Sequence, residues 1–112
     1  MNTADKLQAK GRPIRVVGAP PGLDLQVPTT SEDSGPLLVF AATRAALRPH
    51  EPLIVRAAKA DRLTWVAYPK AGQLDTDLNR DLLAVHLVSR GIRAVRNVAL
   101  DDVWSALRFR PG

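Results

Sequence analysis

Two strongly apolar segments, LLVFAA at 37–42 and LTWVAY at 63–68, constrain this chain more than any other feature. A strand with one wet face alternates apolar and polar residues; these two do not. Each is short, rich in branched or aromatic side chains, and bounded by Gly-Pro, Pro or polar residues. That pattern predicts two strands, and for the unbroken run LLVFAA one buried on both faces, which requires material packed on both sides of a sheet. The intervening segment reads as helix. Thr43 is placed to cap a short helix through Leu47, and Leu53 to Ala60 continue helically after Pro52 at a first-turn position.

The rest of the chain follows from turn chemistry and periodicity. Ile14 to Gly18 predicts a short strand, ended by the rigid turn Ala19-Pro20-Pro21-Gly22. Leu23 to Val27 alternates and predicts a further short strand or extended segment, and 28–36 is a polar loop. Asp77 to Arg90 is the clearest helix, with Thr76 or Asp77 as cap and Gly91 beyond its end. Leu78, Leu82, Val85 and Val88 form its expected buried stripe. Ile92 to Leu100 and Val103 to Arg110 predict two strands able to pair antiparallel across Asp101-Asp102. In the last strand Val103, Ser105, Leu107 and Phe109 share one face, and Trp104, Ala106, Arg108 and Arg110 the other. Strands alternating with helices imply right-handed crossovers and a mainly parallel sheet. The expected architecture is an α/β domain over 14–112, three-layered and Rossmann-like, closed by a C-terminal antiparallel hairpin. Residues 1–13 are expected to form a flexible leading segment.

Composition narrows the chemistry. The 112 residues contain no cysteine, so disulfides, thiolate nucleophiles and Cys-held zinc or iron–sulfur groups are excluded. MNTADKLQAKG lacks the apolar core of a signal peptide, and no apolar stretch nears the ~20 residues of a membrane span. A cytoplasmic protein without a membrane partner is expected. The net charge of +5 comes from arginine, 12 against 4 lysines, which suits carboxylate or phosphate partners. The arginines are dispersed and rarely interleaved with aromatics, which disfavours a nucleic-acid stripe.

Tyr68-Pro69-Lys70, Thr76-Asp77-Leu78-Asn79-Arg80-Asp81 and Asp101-Asp102-Val103-Trp104-Ser105-Ala106-Leu107-Arg108-Phe109 resemble the signatures of a family of short uncharacterised bacterial proteins, a domain of unknown function. Asn79 stands where that family usually has threonine. The resemblance covers roughly residues 60–111. The family in turn resembles a truncated class I S-adenosylmethionine-dependent methyltransferase fold, which is the source of the methyltransferase-like expectation. The cofactor-binding half of that fold is poorly matched. The first turn carries two prolines without N–H donors, no helical pattern follows it, and no acid ends the second strand. No cofactor is therefore expected.

Ligands in open α/β sheets bind at the carboxyl ends of the strands. That rule singles out Tyr68, Lys70, Asp77, Arg80 and Asp81 as a candidate ligand-binding edge. Trp104 and Arg108, with Arg110, form a second candidate patch for a flat anion or a partner's carboxylate. His50 and His86 lack a partner at a metal-binding offset, Ser105 lacks a nucleophile turn, and no P-loop occurs. The reading is a non-enzymatic binding or protein-interaction module for a small anionic ligand or protein partner. An uncovered sheet face would favour a homodimer. The alternatives are a methyltransferase-like enzyme and a weak nucleic-acid binder.

Overall fold

The computed structural model of the chain describes residues 3–112, with side chains described from Asp5 onward. In chain order the elements are α1 (Thr3–Lys6), β1 (Arg15–Val17), β2 (Leu37–Phe40), α2 (Arg44–Leu47), a 3-10 turn (Arg48–His50), α3 (Glu51–Lys59), β3 (Thr64–Pro69), α4 (Arg80–Val88), β4 (Ile92–Ala99) and β5 (Trp104–Pro111). The five strands form one sheet in the order β1-β2-β3-β5-β4.

The two apolar runs lie where their sequences place them. Every residue of β2 and β3 is buried, and the two strands pair in parallel, Leu37 opposite Thr64 and Phe40 opposite Ala67. The expectation of a mainly parallel, three-layer Rossmann-like sheet does not hold. β5 inserts between β3 and β4 and runs antiparallel to both, so two of the four strand pairings are parallel and two antiparallel. The fold is a mixed α/β sheet. The expected closing hairpin is present as β4 and β5, with residues 100–103 between them.

The layering also differs. One sheet face carries helices: Leu37, Val39, Val66, Leu107 and Phe109 pack with Ile54 and Ala57 of α3 and with Leu83 and Leu87 of α4. The other face is covered without a long helix. There Leu38, Phe40, Trp65, Ala67, Trp104 and Ala106 pack with Leu7, Ala9 and Ile14, and Leu23, Leu25 and Val27 close over them. Two prolines in the 19–22 turn deny a helix its donors. The segment after it folds as irregular chain rather than as the expected strand, with the Asp24 carboxylate accepting the Gln26 N–H at 2.8 Å and Gln26 left-handed at φ 54°. Its ladder contact is a single bridge, Ile14 to Thr29. The bare sheet face from which self-association is expected is thus occupied by the chain's own residues.

The leading segment is partly built into this layer. Leu7 is fully buried and Ala9 nearly so, and the Trp65 indole N–H donates to the Leu7 carbonyl at 2.9 Å. The expected looseness of residues 1–13 falls in part, at residues 1 and 2, outside the described residues. One turn depends on glycine: Gly18 sits at φ +74°, and a Cβ there would come within 2.9 Å of the Phe40 carbonyl oxygen. That contact lets the chain leaving β1 pass close beside the end of β2.

Candidate functional site

The helix α4 starts later than its sequence suggests. Asn79 rather than Thr76 or Asp77 is its cap, its side-chain oxygen accepting the Leu82 N–H at 2.9 Å. Thr76 and Asp77 serve a different purpose. The Thr76 hydroxyl donates to Ala42 O at 2.6 Å and accepts the Leu78 N–H at 3.0 Å, while the Asp77 carboxylate accepts the Arg44 N–H at 2.8 Å. Together they clip the 70–79 loop to the end of β2 and the start of α2.

The buried face of α4 also differs from the one expected. Leu83 and Leu87 are fully buried and Leu78, just before the helix, is buried. Leu82, Val85 and Val88 are 39%, 71% and 51% exposed. Of the expected buried stripe only Leu78 is buried; the other three residues face solvent. Leu82 and Val85 form one side of a groove of about 370 Å³ whose opposite side is α2 and the start of α3. Leu47, Leu78, Leu82 and Val85 give the groove its apolar surface, and Arg44 and Arg48 stand exposed on its rim. Neither arginine side chain has a carboxylate at ion-pair distance among the described residues. The groove floor holds Glu51, whose side chain is 8% exposed. His86 Nε2 donates to its Oε1, and Arg90 Nη1 lies 3.6 Å away. A buried carboxylate of this kind must be partnered, and the His86 hydrogen bond together with the Arg90 guanidinium ties the first turn of α3 to the end of α4.

The expected strand-end residues are brought together only in part. Tyr68, Lys70, Arg80 and Asp81 line a shallow depression with Asn79, Asn97 and Ser105. The Tyr68 hydroxyl donates to Asn97 Oδ1 at 2.7 Å, and burial raises the phenol above its usual pKa against the opposing pull of Ser105, Arg80 and Asn97. Arg80 and Asp81 contact each other at 3.4 Å, both exposed. Asp77 is turned away onto α2, so the carboxylates of 77 and 81 do not converge. Lys70 shows no ion pair with Asp75 or Asp77. Trp104 is buried edge-on against Phe40, 5.0 Å between ring centroids, and presents no face for stacking. Arg108 leaves the same strand face and donates from Nη1 to Gln8 Oε1 at 2.9 Å.

Among the described residues, no three His, Asp or Glu side chains gather as a metal site, and no helix is long and apolar enough to cross a membrane. No known protein family, curated protein or solved structure matches the chain. Arg44, Arg48, Glu51 and His86 escape sequence reading because they meet only through tertiary packing. The one available signal is that α4 carries apolar residues on two faces, more than one core contact needs.

Proposed function

We propose that this protein is a non-enzymatic interaction module that holds an acidic amphipathic helix of a partner protein in the groove between α2–α3 and α4. The observation that carries this reading is the exposed pair Leu82 and Val85 lining the groove on a helix whose core contacts are already made by Leu83 and Leu87. Exposed apolar residues arranged at helical spacing beside a groove fit the helix-in-groove mode of recognition. Arg44 and Arg48 on the rim, lacking acids of their own, select the sign of the partner's charge. A second copy of this chain is a poor occupant. A two-fold contact through this face would set Arg44 and Arg48 against their own copies, on a protein carrying +5 overall.

The test uses two synthetic helices with leucine at i, i+3, i+4 and i+7, one flanked by glutamate and the other by lysine. The glutamate peptide should bind saturably and shift the amide resonances of Leu82, Val85 and His86. Val85→Glu, a change at a largely exposed position, should weaken that binding by at least about tenfold, roughly 1.4 kcal/mol. Equal binding of both peptides, or indifference to Val85→Glu, refutes the proposal. So does a mass that doubles with concentration and is restored to monomer by Val85→Glu, since the groove would then hold a second copy.

A further inference from the structure

A separate cleft lies at the opposite end of the sheet, where β2 and β3 begin. Its walls come from three distant stretches: residues 8–12, the 34–35 turn before β2, and the 61–63 connection into β3, with Arg108 of β5 behind them. The volume is about 390 Å³. Gln8 and Lys10 both adopt left-handed backbone, at φ 59° and 54°. Their turn folds the leading segment into a wall that carries Gln8, Lys10 and Arg12 together.

The charges in this cleft do not balance. Four cations, Lys10, Arg12, Arg62 and Arg108, face one acid, Asp61. Asp61 is already engaged: Arg110 donates to its two carboxylate oxygens at 3.2 and 3.3 Å. Arg62 is held in place by Gly35 O at 3.0 Å and Asp33 Oδ1 at 3.1 Å. Lys10, Arg12 and Arg108 have no carboxylate at ion-pair distance among the described residues.

Arg108 is the most telling of these. Its Nε is buried and has no hydrogen-bond partner. Arg96 stands directly across the strand from it, and Arg93 across from Arg110. Like charges placed opposite each other in a sheet are destabilising. A guanidinium retained for structure alone would be given an acid, as Arg62 is given Asp33. Burial lowers the pKa of Arg108, as do Arg110 and Arg96, and Asp61 offsets this only in part.

We propose that the cleft between residues 8–12, Arg62 and Arg108 is a binding site for the phosphoryl group of a small phosphorylated ligand. Guanidinium groups match phosphate oxygens in geometry and charge, and a dianion supplies the countercharge that the cleft lacks. The cleft, about 390 Å³ in volume, has room for a phosphate with a small organic substituent. A nucleic-acid strand fits less well. No exposed aromatic side chain lines the cleft for base stacking, since Trp104 on the same sheet face is buried.

The experiment is a titration of the isotopically labelled full chain with inorganic phosphate, ribose 5-phosphate and a single-stranded oligonucleotide, read by NMR. Ribose 5-phosphate should produce saturable shifts at Gln8, Gly35 and Leu63 and at the Arg108 Nε–H resonance. Resonances of Leu82 and Val85 should stay in place, which separates this site from the α4 groove. Inorganic phosphate should bind the same residues at least about tenfold more weakly if the organic substituent contributes, and equally if the phosphoryl group alone is read; either result supports the site. Both Lys10 and Arg12 are exposed, so Lys10→Gln with Arg12→Gln preserves the fold and should weaken binding at least about tenfold. The proposal is overturned by shifts that do not saturate, by shifts spread over all arginines, by a double variant with undiminished affinity, or by binding of the oligonucleotide alone.

Discussion

Leu7→Ala tests whether the leading segment is a structural part of the domain. Leu7 is fully buried in the layer formed by Trp65, Leu38 and Trp104, and its carbonyl accepts the Trp65 indole N–H. The substitution removes about three apolar carbons, worth about 2.4 kcal/mol of transfer free energy at ~0.8 kcal/mol each. A residual cavity adds to that wherever the surroundings fail to collapse, for a total of about 3 kcal/mol. For a domain of this size the corresponding drop in Tm is about 10–15 °C. Because the segment is held to the sheet through Leu7, Ala9 and the bond from the Trp65 indole, the loss can also take the form of undocking. Trp65, 1% exposed in the folded protein, would then meet water. Urea unfolding followed by tryptophan fluorescence measures the free energy, and exchange of the indole proton reports the docking. The reasoning is refuted if stability falls by less than about 1 kcal/mol while the indole proton stays as protected as in the parent. Undocking would also remove one wall of the basic cleft, so phosphate binding should weaken in the same variant.

Three further outcomes follow from particular contacts. Asp33 meets Arg15 and Arg62 at 3.0 and 3.1 Å, and these arginines hold its pKa below the usual carboxylate value, Arg62 most strongly. Its contribution is therefore present above the unfolded-state pKa and is lost as pH falls through the lower folded value; acid titration of Asp33→Asn should lack this part of the parent's loss. Tyr68→Phe removes the 2.7 Å bond to Asn97 and should cost about 1 kcal/mol at neutral pH. The parent phenol binds its proton more tightly folded than unfolded, so stability should decline as pH rises above about 10, and the Phe variant should lack that decline in alkaline melts. Gly18→Ala forces a Cβ against Phe40 O at a left-handed position and should destabilise by more than about 1 kcal/mol in chemical denaturation, whereas Gly22→Ala, with open space around it, should show only the backbone part of that loss.

The parts of this fold written locally in the chain are legible in its sequence. LLVFAA declares its double burial because no polar residue interrupts it, LTWVAY reads as a strand with Thr64 inside it, and both lie in mid-sheet. The alternation in WSALRFR correctly sets Leu107 and Phe109 on one face and Trp104 and Ala106 on the other, but not which of the two faces carries the helices. What is not legible depends on distant segments meeting. Periodicity alone cannot choose between the two apolar sets on α4. The choice is made by where α3 and β4 press on the helix, and it falls on Leu83 and Leu87. The same holds for the order of the sheet, because nothing local in Trp104 to Pro111 says that this strand enters beside β3. The candidate edge at Tyr68 and Lys70 follows from a general rule about strand ends. The basic cleft lies at the other end, assembled from residues up to 100 positions apart, as in the bond from Arg108 to Gln8.

The position of β5 has a consequence for how this chain is made. β5, which follows the other four strands in chain order, lies inside the sheet, with β3 on one side and β4 on the other. Until residues 104–111 clear the ribosome, the apolar edge of β3 has no neighbour and β4 has nothing to pair with. The sheet can therefore close only after β5 has been made, and a nascent chain stalled short of it presents an open, adhesive edge of the kind that chaperones capture.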